Sequence, residues 1–241
     1  MNILAVDTAG KTAGVALLQG DRLLYEVYLD AGMTHSETLM PMIDTCLKMC
    51  GMTCANIDLY GVNAGPGSFT GLRIGLAAVK GLAFPRERCA HRSPRWKHWP
   101  QPTRARAPCC AHWMPAVRRY TVPRSTLPPT AACWKTDARA VADLADFVEN
   151  CKKPCFVGDG ASLCYNKYGS VPGVLQAPAA LRGGRAAAVA LVAKQMAEAG
   201  KAVLPEALLP DYHRLSQAER ERAERLAAEA AANAAQNKEQ A

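Results

Sequence analysis

Asp7 and Thr8 close an apolar run, Ile3 to Val6, and are the first residues of this 241-residue chain equipped for chemistry. A carboxylate at a strand end can orient a metal-bound nucleotide phosphate or a water, and a threonine hydroxyl can donate to a phosphate oxygen. The same pair also suits a plain Asx turn that bonds nearby backbone. A second candidate is the phrase Gly65 to Gly75, Gly-Pro-Gly-Ser-Phe-Thr-Gly-Leu-Arg-Ile-Gly, set between the apolar run Leu59 to Val62 and helix-spaced Leu72, Leu76, Val79 and Leu82. That order reads as strand, tight turn, helix. Glycine allows close backbone approach there, and first-turn N–H groups can bind an anion or a partner's carboxylate. Many strand-to-helix corners need glycine for shape alone, so both roles stay open. Gly158 and Asp159 repeat the pattern after a short strand, Cys155 to Val157. Asp7, Thr8, Gly65, Gly67, Ser68, Thr70, Gly158 and Asp159 are thus the candidate nucleotide-type cleft.

The elements that must position these groups follow from periodicity. Ile3 to Val6, Ala13 to Leu18 and Leu23 to Leu29 read as three strands joined by hairpin turns. Thr34 and Glu37 fit a capping box. Leu39, Met42, Ile43, Cys46, Leu47 and Cys50 then form a helical stripe, with Pro41 expected to kink it and Gly51 to stop it. Such a stripe packs on the chain's own sheet or docks another subunit's helix, and core packing is the commoner fate. Further on, helices are expected over Ala138 to Asn150 and Ala186 to Ala199. A second capping box, Ser216 with Glu219, opens an alanine-rich helical tail.

The composition, 49% hydrophobic, supplies a core, and no apolar run approaches the roughly 20 residues of a membrane span. The first residues carry no basic leader, which predicts a cytoplasmic protein. The ten cysteines lack both disulfide-framework and paired Cys-x-x-Cys spacing, so buried thiols are expected rather than a metal site.

The net charge of +8 is not spread over the chain. Residues 85–135 hold nine Arg and two Lys against the single Glu87, a local +10, which leaves −2 for the rest. All four Trp and nine of the sixteen Pro lie in the same stretch, and no amphipathic period survives from Arg92 to Pro129. Such a stretch is a disordered basic linker, a nucleic-acid-binding insert, or a segment read in the wrong frame. A disordered linker is rarely so rich in Trp and Cys. The genetic code tests the frame. Taking the third base of each codon with the first two of the next, Ser93 to Pro100 permits Ser-Thr-Leu-Glu-Ala-Leu-Ala, with the Glu, the second Leu and the final Ala forced. The same shift over Cys109 to Tyr120 forces Leu-Asp-Ala and permits Arg-Arg-Ala-x-Val-Tyr after it. Compensating frameshifts, beginning near Arg86 to Arg88 and returning near Lys135 to Arg139, are the resulting expectation.

Asp7-Thr8, His35-Ser36-Glu37-x-Leu39-x-Pro41, the Gly65 to Gly75 phrase with Lys80-Gly81-Leu82-Ala83, and Gln217-Ala218-Glu219-Arg220 together resemble the TsaB (YeaZ) family. The resemblance is close over about residues 1–86 and looser over 137–220, and the phrases recovered by the shifted frame look like that family's middle. It implies an α/β protein of the actin-like, Hsp70-like ATPase fold, with two ribonuclease H-like lobes and mixed sheets. The first lobe's five-stranded sheet would carry helices on both faces. The expected division is a first lobe over 1–86, an irregular and frameshifted stretch over 87–136, the rest of a second lobe over 137–215, and a helical tail over 216–241.

The resemblance also implies a non-catalytic accessory subunit of the complex that forms N6-threonylcarbamoyladenosine in tRNAs reading codons that begin with adenine. The implied partners are a TsaD-like transferase, bound through first-lobe helices, and a TsaE-like ATPase; tRNA is met indirectly, and a homodimer is open when the transferase is absent. No cofactor is required of this subunit, weak ATP or ADP binding being left open. The transferase needs two histidines four residues apart on one helix face to hold a metal. Here His35 is followed four residues later by Leu39, which makes His35 a capping or interface group. His35, Leu39, Met42, Ile43, Cys46, Leu72 and Arg73 are the expected partner surface. A small-molecule kinase or metal-dependent transferase of the same fold is the alternative, and it would need a second acidic residue beside Asp7.

Overall fold

Leu4 and Val6 face one side of a strand and Ile3 and Ala5 the other, and all four are fully buried, so the strand that ends at Asp7 must be covered on both faces. The computed structural model describes residues 1–65, 67–94, 112–114, 119–123, 136–140, 144–150, 155–156, 158, 160–179, 182–212, 221–222 and 224–226. Strands β1 (Asn2–Asp7), β2 (Ala13–Gln19) and β3 (Arg22–Leu29) pair antiparallel as expected. β4 (Leu59–Gly65) adds parallel to β1, and β5 (Cys89–Pro94) adds parallel to β4. The result is one mixed five-stranded sheet in the order β3-β2-β1-β4-β5.

One face is covered by α1 (His35–Met49) and α2 (Phe69–Ala83). α1 starts at the Thr34–Glu37 capping box, contains Pro41, and ends in a Schellman turn. In that turn Gly51, at φ 62°, donates to the Lys48 carbonyl and Met52 to the Leu47 carbonyl. The stripe Leu39, Met42, Ile43, Cys46 and Leu47 packs with Leu4, Val6, Val15, Leu17, Tyr60 and Val62 in one core. Each fully buried aliphatic chain of that set contributes about 2 kcal/mol of transfer free energy.

The other face is covered by α5 (Ala186–Glu198), whose Val189, Ala190 and Ala193 pack on Ile3, Ala5, Leu18 and Leu59. α5 lies close because its contact residues are small. A Cβ at Gly61 of β4 would sit 3.1 Å from that of Ala193. The first lobe is therefore not completed within residues 1–86. Its edge strand comes from 89–94 and its second helical layer from 186–198, a segment expected in a second lobe. A bridge between Ala90 and Val203 fixes the returning chain beside β5.

The expectation of an irregular 87–136 falls largely on residues outside those described. Besides β5, that stretch contains β6 (His112–Met114) and β7 (Arg119–Pro123), which form an antiparallel three-stranded sheet with β8 (Thr136–Ala140). The β7–β8 ladder engages the backbone groups that an early helical turn at Ala138 would have used, so α3 runs only over Ala145–Asn150. Phe156 of β9 (Cys155–Phe156) and Ala161, Cys164 and Tyr168 of α4 (Ala161–Tyr168) form a second core with Leu144, with Val148 of α3 and with Val174, which precedes β10 (Leu175–Gln176). Residues 1–211 make one compact unit and 212–241 a separate one, helical at 221, 222 and 224–226. The Ser216–Glu219 capping box and the Gln217–Arg220 phrase lie outside the described residues. No helix among the described residues is long and apolar enough to cross a membrane.

Candidate functional site

The β1–β2 loop, Thr8 to Gly10, is where the sequence motifs converge. Asp7 is 2% exposed; its Oδ1 accepts from the Ala9 N–H at 3.0 Å, the Asx contact of a turn, and from Asn63 Nδ2 at 2.8 Å. Asn63 Oδ1 in turn accepts from the Gly65 N–H at 3.2 Å, so one amide ties the ends of β1 and β4 together. Thr8, fully buried, donates its hydroxyl to the Gly71 carbonyl at 2.7 Å. It is spent on backbone.

The glycine phrase is likewise packed against protein. Ser68 caps α2 by accepting from the Gly71 N–H at 3.3 Å, while its own N–H donates to the Ala9 carbonyl at 2.8 Å. A Cβ at Gly71 would lie 2.1 Å from the Thr8 carbonyl oxygen, and one at Gly67 2.4 Å from the Ala9 carbonyl oxygen. These contacts require glycine, because the opposing atoms are backbone and cannot swing away. Gly65, at φ 130°, makes the turn out of β4. Thr70 is exposed on the first turn of α2. The glycines here let a helix lie on a loop, where a phosphate cradle would have left the space open.

Sequence reasoning missed the lid over Asp7. The backbone of Gly184 crosses the carboxylate so closely that a Cβ would stand 2.2 Å from Asp7 Oδ2, and Gly183 lies against the Tyr28 ring. The pair Gly183-Gly184 just before α5 was the available signal. Gly158 is buried beside α4, where its carbonyl accepts from the Ala161 N–H, away from the Asp7 turn's hydrogen bonds. Asp159 lies outside the described residues.

Of the expected partner surface, Leu39 (1% exposed), Met42, Ile43, Cys46 and Leu72 are in the chain's own core, which corrects that expectation. The stripe is consumed by the sheet it lies on, as the amphipathic period of a sheet-packed helix demands. His35 is half-buried; its Nε2–H donates to the Gly10 carbonyl at 2.9 Å and its ring stands beside Gly71, so it fastens α1 to the loop and to α2. With Nε2 engaged and Nδ1 buried without a hydrogen-bond partner, this imidazole is structural. Arg73 alone of the set is exposed, its guanidinium 4.1 Å over the Phe69 ring. Met40 and Met49, on the outer side of α1, are 47% and 74% exposed.

Among the described residues no three His, Cys, Asp or Glu side chains converge as a metal set. Burial, with neighbouring Cys50 adding to it, pushes the Cys46 thiol up to about 12, which makes it an inert core group.

Residues 29–88 match the family model described as TsaD: tRNA N6-adenosine threonylcarbamoyltransferase. The tRNA threonylcarbamoyladenosine biosynthesis protein TsaB of Bacillus subtilis (strain 168) is 39% identical over 84 residues, 35% of this chain and 37% of that protein. The protein of the same name from Escherichia coli (strain K12) is 36% identical over 84 residues, 35% of this chain and 36% of that one. The matches thus span little more than a third of these curated relatives. Among solved structures, a Pseudomonas aeruginosa protein described as similar to peptidase YEAZ superposes with a TM-score of 0.71 at 23% identity. That match covers 88% of this chain and 99% of the other. The fold is therefore shared along most of the chain, while the matches to these curated relatives span about a third of it.

Proposed function

We infer from these similarities that this chain is of the TsaB (YeaZ) family, and propose that it is a non-catalytic accessory subunit in the formation of N6-threonylcarbamoyladenosine on tRNA. The observation that carries the reading is the fate of the cleft. Asp7, Thr8 and the Gly65–Gly75 turn are committed to one another and to Gly184, and His35 has Leu39, a core residue, where a second imidazole would be needed. What the motifs build is a rigid joint between a sheet and two helices.

In this reading the subunit works in the cytoplasm and binds a TsaD-like transferase through the outward faces of α1 and α2, with Met40, Phe69 and Arg73 as contact groups; exposed Met and Arg suit such a surface. A TsaE-like ATPase joins through the complex. The tRNAs served read codons beginning with adenine and are met through the transferase. The subunit requires no nucleotide of its own.

The test is reconstitution. Purified chain and purified TsaD-like transferase should elute as one species, and transferase plus chain should modify tRNA where the chain alone does not. Modification of tRNA, or sustained ATP hydrolysis lost in Asp7→Ala, by the isolated chain would overturn the proposal.

A further inference from the structure

We propose that residues from about 87 to 136 are translated out of phase, and that their basic, Trp- and Pro-rich character is a by-product of codon phase with no binding role. This inference is independent of the accessory-subunit reading. Four observations meet at one place in the chain.

The family match ends at residue 88, and the curated relatives align over only 84 residues, yet likeness of fold extends over 88% of the chain. A diverging sequence loses similarity gradually, whereas a phase change ends it within a codon.

Local strain gathers at the same point. Glu87, at φ 49°, is the one non-glycine residue with positive φ among the described residues, a conformation that L side chains rarely hold. Beside it, Arg88 Nε is buried with no hydrogen-bond partner, which costs about 1–3 kcal/mol. Three residues on, β5 buries the imidazole of His91 at 6% exposure, opposite Gly61 of β4. An unusual turn, an orphaned guanidinium nitrogen and a buried imidazole within five residues are what arbitrary side chains produce when laid on a backbone suited to others.

The composition changes at that residue too: +10 of charge and all four Trp lie in 85–135. Finally, one base out of phase, the codons of Ser93 to Pro100 permit a seven-residue amphipathic phrase with three residues forced, and those of Cys109 to Tyr120 force Leu-Asp-Ala.

A cavity of about 270 Å³ between the ends of β4 and β5 and the segment after α5 is informative in this light. His91, Arg92 and Lys201 bring nitrogen-bearing side chains to its lining, beside the Asp211 carboxylate. Two of those three side chains belong to the out-of-phase stretch, so the lining is an accident of the same shift.

Peptide mapping of the protein from its natural source, with sequencing of its gene and transcript across codons 80–140, tests the proposal. The expected result is peptides containing the forced Glu, Leu and Ala in place of Trp96-Lys97-His98-Trp99. An uninterrupted frame with the Trp-rich peptides recovered from active protein would sink it. A second measurement compares this chain with one whose frame is restored by two compensating base changes. The restored chain is expected to be cut about tenfold more slowly by trypsin within the segment and to lose low-salt retention of tRNA. Equal protease resistance, with salt-steep tRNA retention by this chain that persists at physiological salt and vanishes on restoring the frame, would instead assign the basic segment a binding role and overturn the inference.

Discussion

The Glu26 carboxylate holds the Arg185 guanidinium through two hydrogen bonds, Nε to Oε1 at 3.0 Å and Nη2 to Oε2 at 2.5 Å, and its Oε1 also accepts from the Ala187 N–H at 3.1 Å. One side chain of β3 therefore pins the residue before α5 and caps that helix, which places Gly183 and Gly184 over Tyr28 and Asp7. The fork-to-fork geometry is the strong form of the ion pair. Glu26→Gln keeps an acceptor and removes the charge, and a loss of about 2 kcal/mol is expected. That corresponds to a fall in Tm of roughly 4–8 °C for a chain of this size, with Arg185→Lys close behind because a point charge cannot replace the fork. The hydrogen bonds from Arg185 to Glu26 push the guanidinium's pKa further up. Because the folded pKa is raised, the arginine's contribution is fully present below its unfolded pKa and is lost only as pH rises through the folded one, so it is undiminished at neutral and mildly alkaline pH. Thermal melts of the two variants check the pair; unchanged melting of both would show that α5 is held by apolar packing alone.

Two glycines of α2 separate close packing from helix propensity. Gly71→Ala puts a methyl carbon 2.1 Å from the Thr8 carbonyl oxygen and must push the β1–β2 loop off the helix, while a Cβ at exposed Gly81 meets nothing within 4 Å. The first variant is expected to lose at least about 3 kcal/mol; the second, in a helix interior, to gain about 0.5–1 kcal/mol. Urea titration of both reads the difference directly. Equal and small effects would mean that the loop yields, and that the close contact has no structural weight.

How far the sequence carried these conclusions depended on where each residue's partner lay along the chain. The three hairpin strands, the capping box of Thr34 and Glu37, and the strand-turn-helix at Gly65 are encoded within a few residues of themselves, and they stand where periodicity put them. The Glu26–Arg185 pair spans 159 positions and the Asn63–Asp7 bond 56, so neither leaves a local trace. Periodicity also shows that Leu39, Ile43 and Cys46 share a helix face without saying what covers it. Here β2 and β3 cover it, and the expected docking stripe became core. The assignment of 186–198 to a second lobe failed for the same reason: an Ala-rich helix fits a sheet bearing Gly14 and Gly61, and chain order is silent on which sheet that is.

Thiol chemistry should follow burial. Cys46 is fully buried with its pKa raised by burial and by Cys50 to about 12, and Cys164 is buried in the second core, whereas Cys89 is exposed at the start of β5. At pH 8 a thiol with that pKa is ionised to only about one part in ten thousand. Iodoacetamide at pH 8 is expected to modify Cys89 within minutes and to leave Cys46 and Cys164 intact until urea unfolds the chain. Rapid labelling of Cys46 in the native protein would show that α1 detaches from the sheet.

The partner surface yields the sharpest contrast, because α1 and α2 each carry a buried and an exposed side and a given substitution strikes only one. Leu39→Ala and Ile43→Ala empty the monomer's own core and are expected to cost about 2–5 kcal/mol, lowering Tm whether or not a transferase is present. Met40→Asp and Arg73→Glu alter exposed groups and should leave the melting curve within about 0.5 kcal/mol of the parent. If the outward faces bind the transferase, each of these two weakens co-purification by tenfold or more, a hot-spot loss of about 1.4 kcal/mol or greater. Binding measured by titration calorimetry beside a melt of each variant distinguishes the cases. Undiminished binding in both surface variants would place the transferase on another face, and diminished binding that merely tracks Tm would reduce these helices to scaffolding.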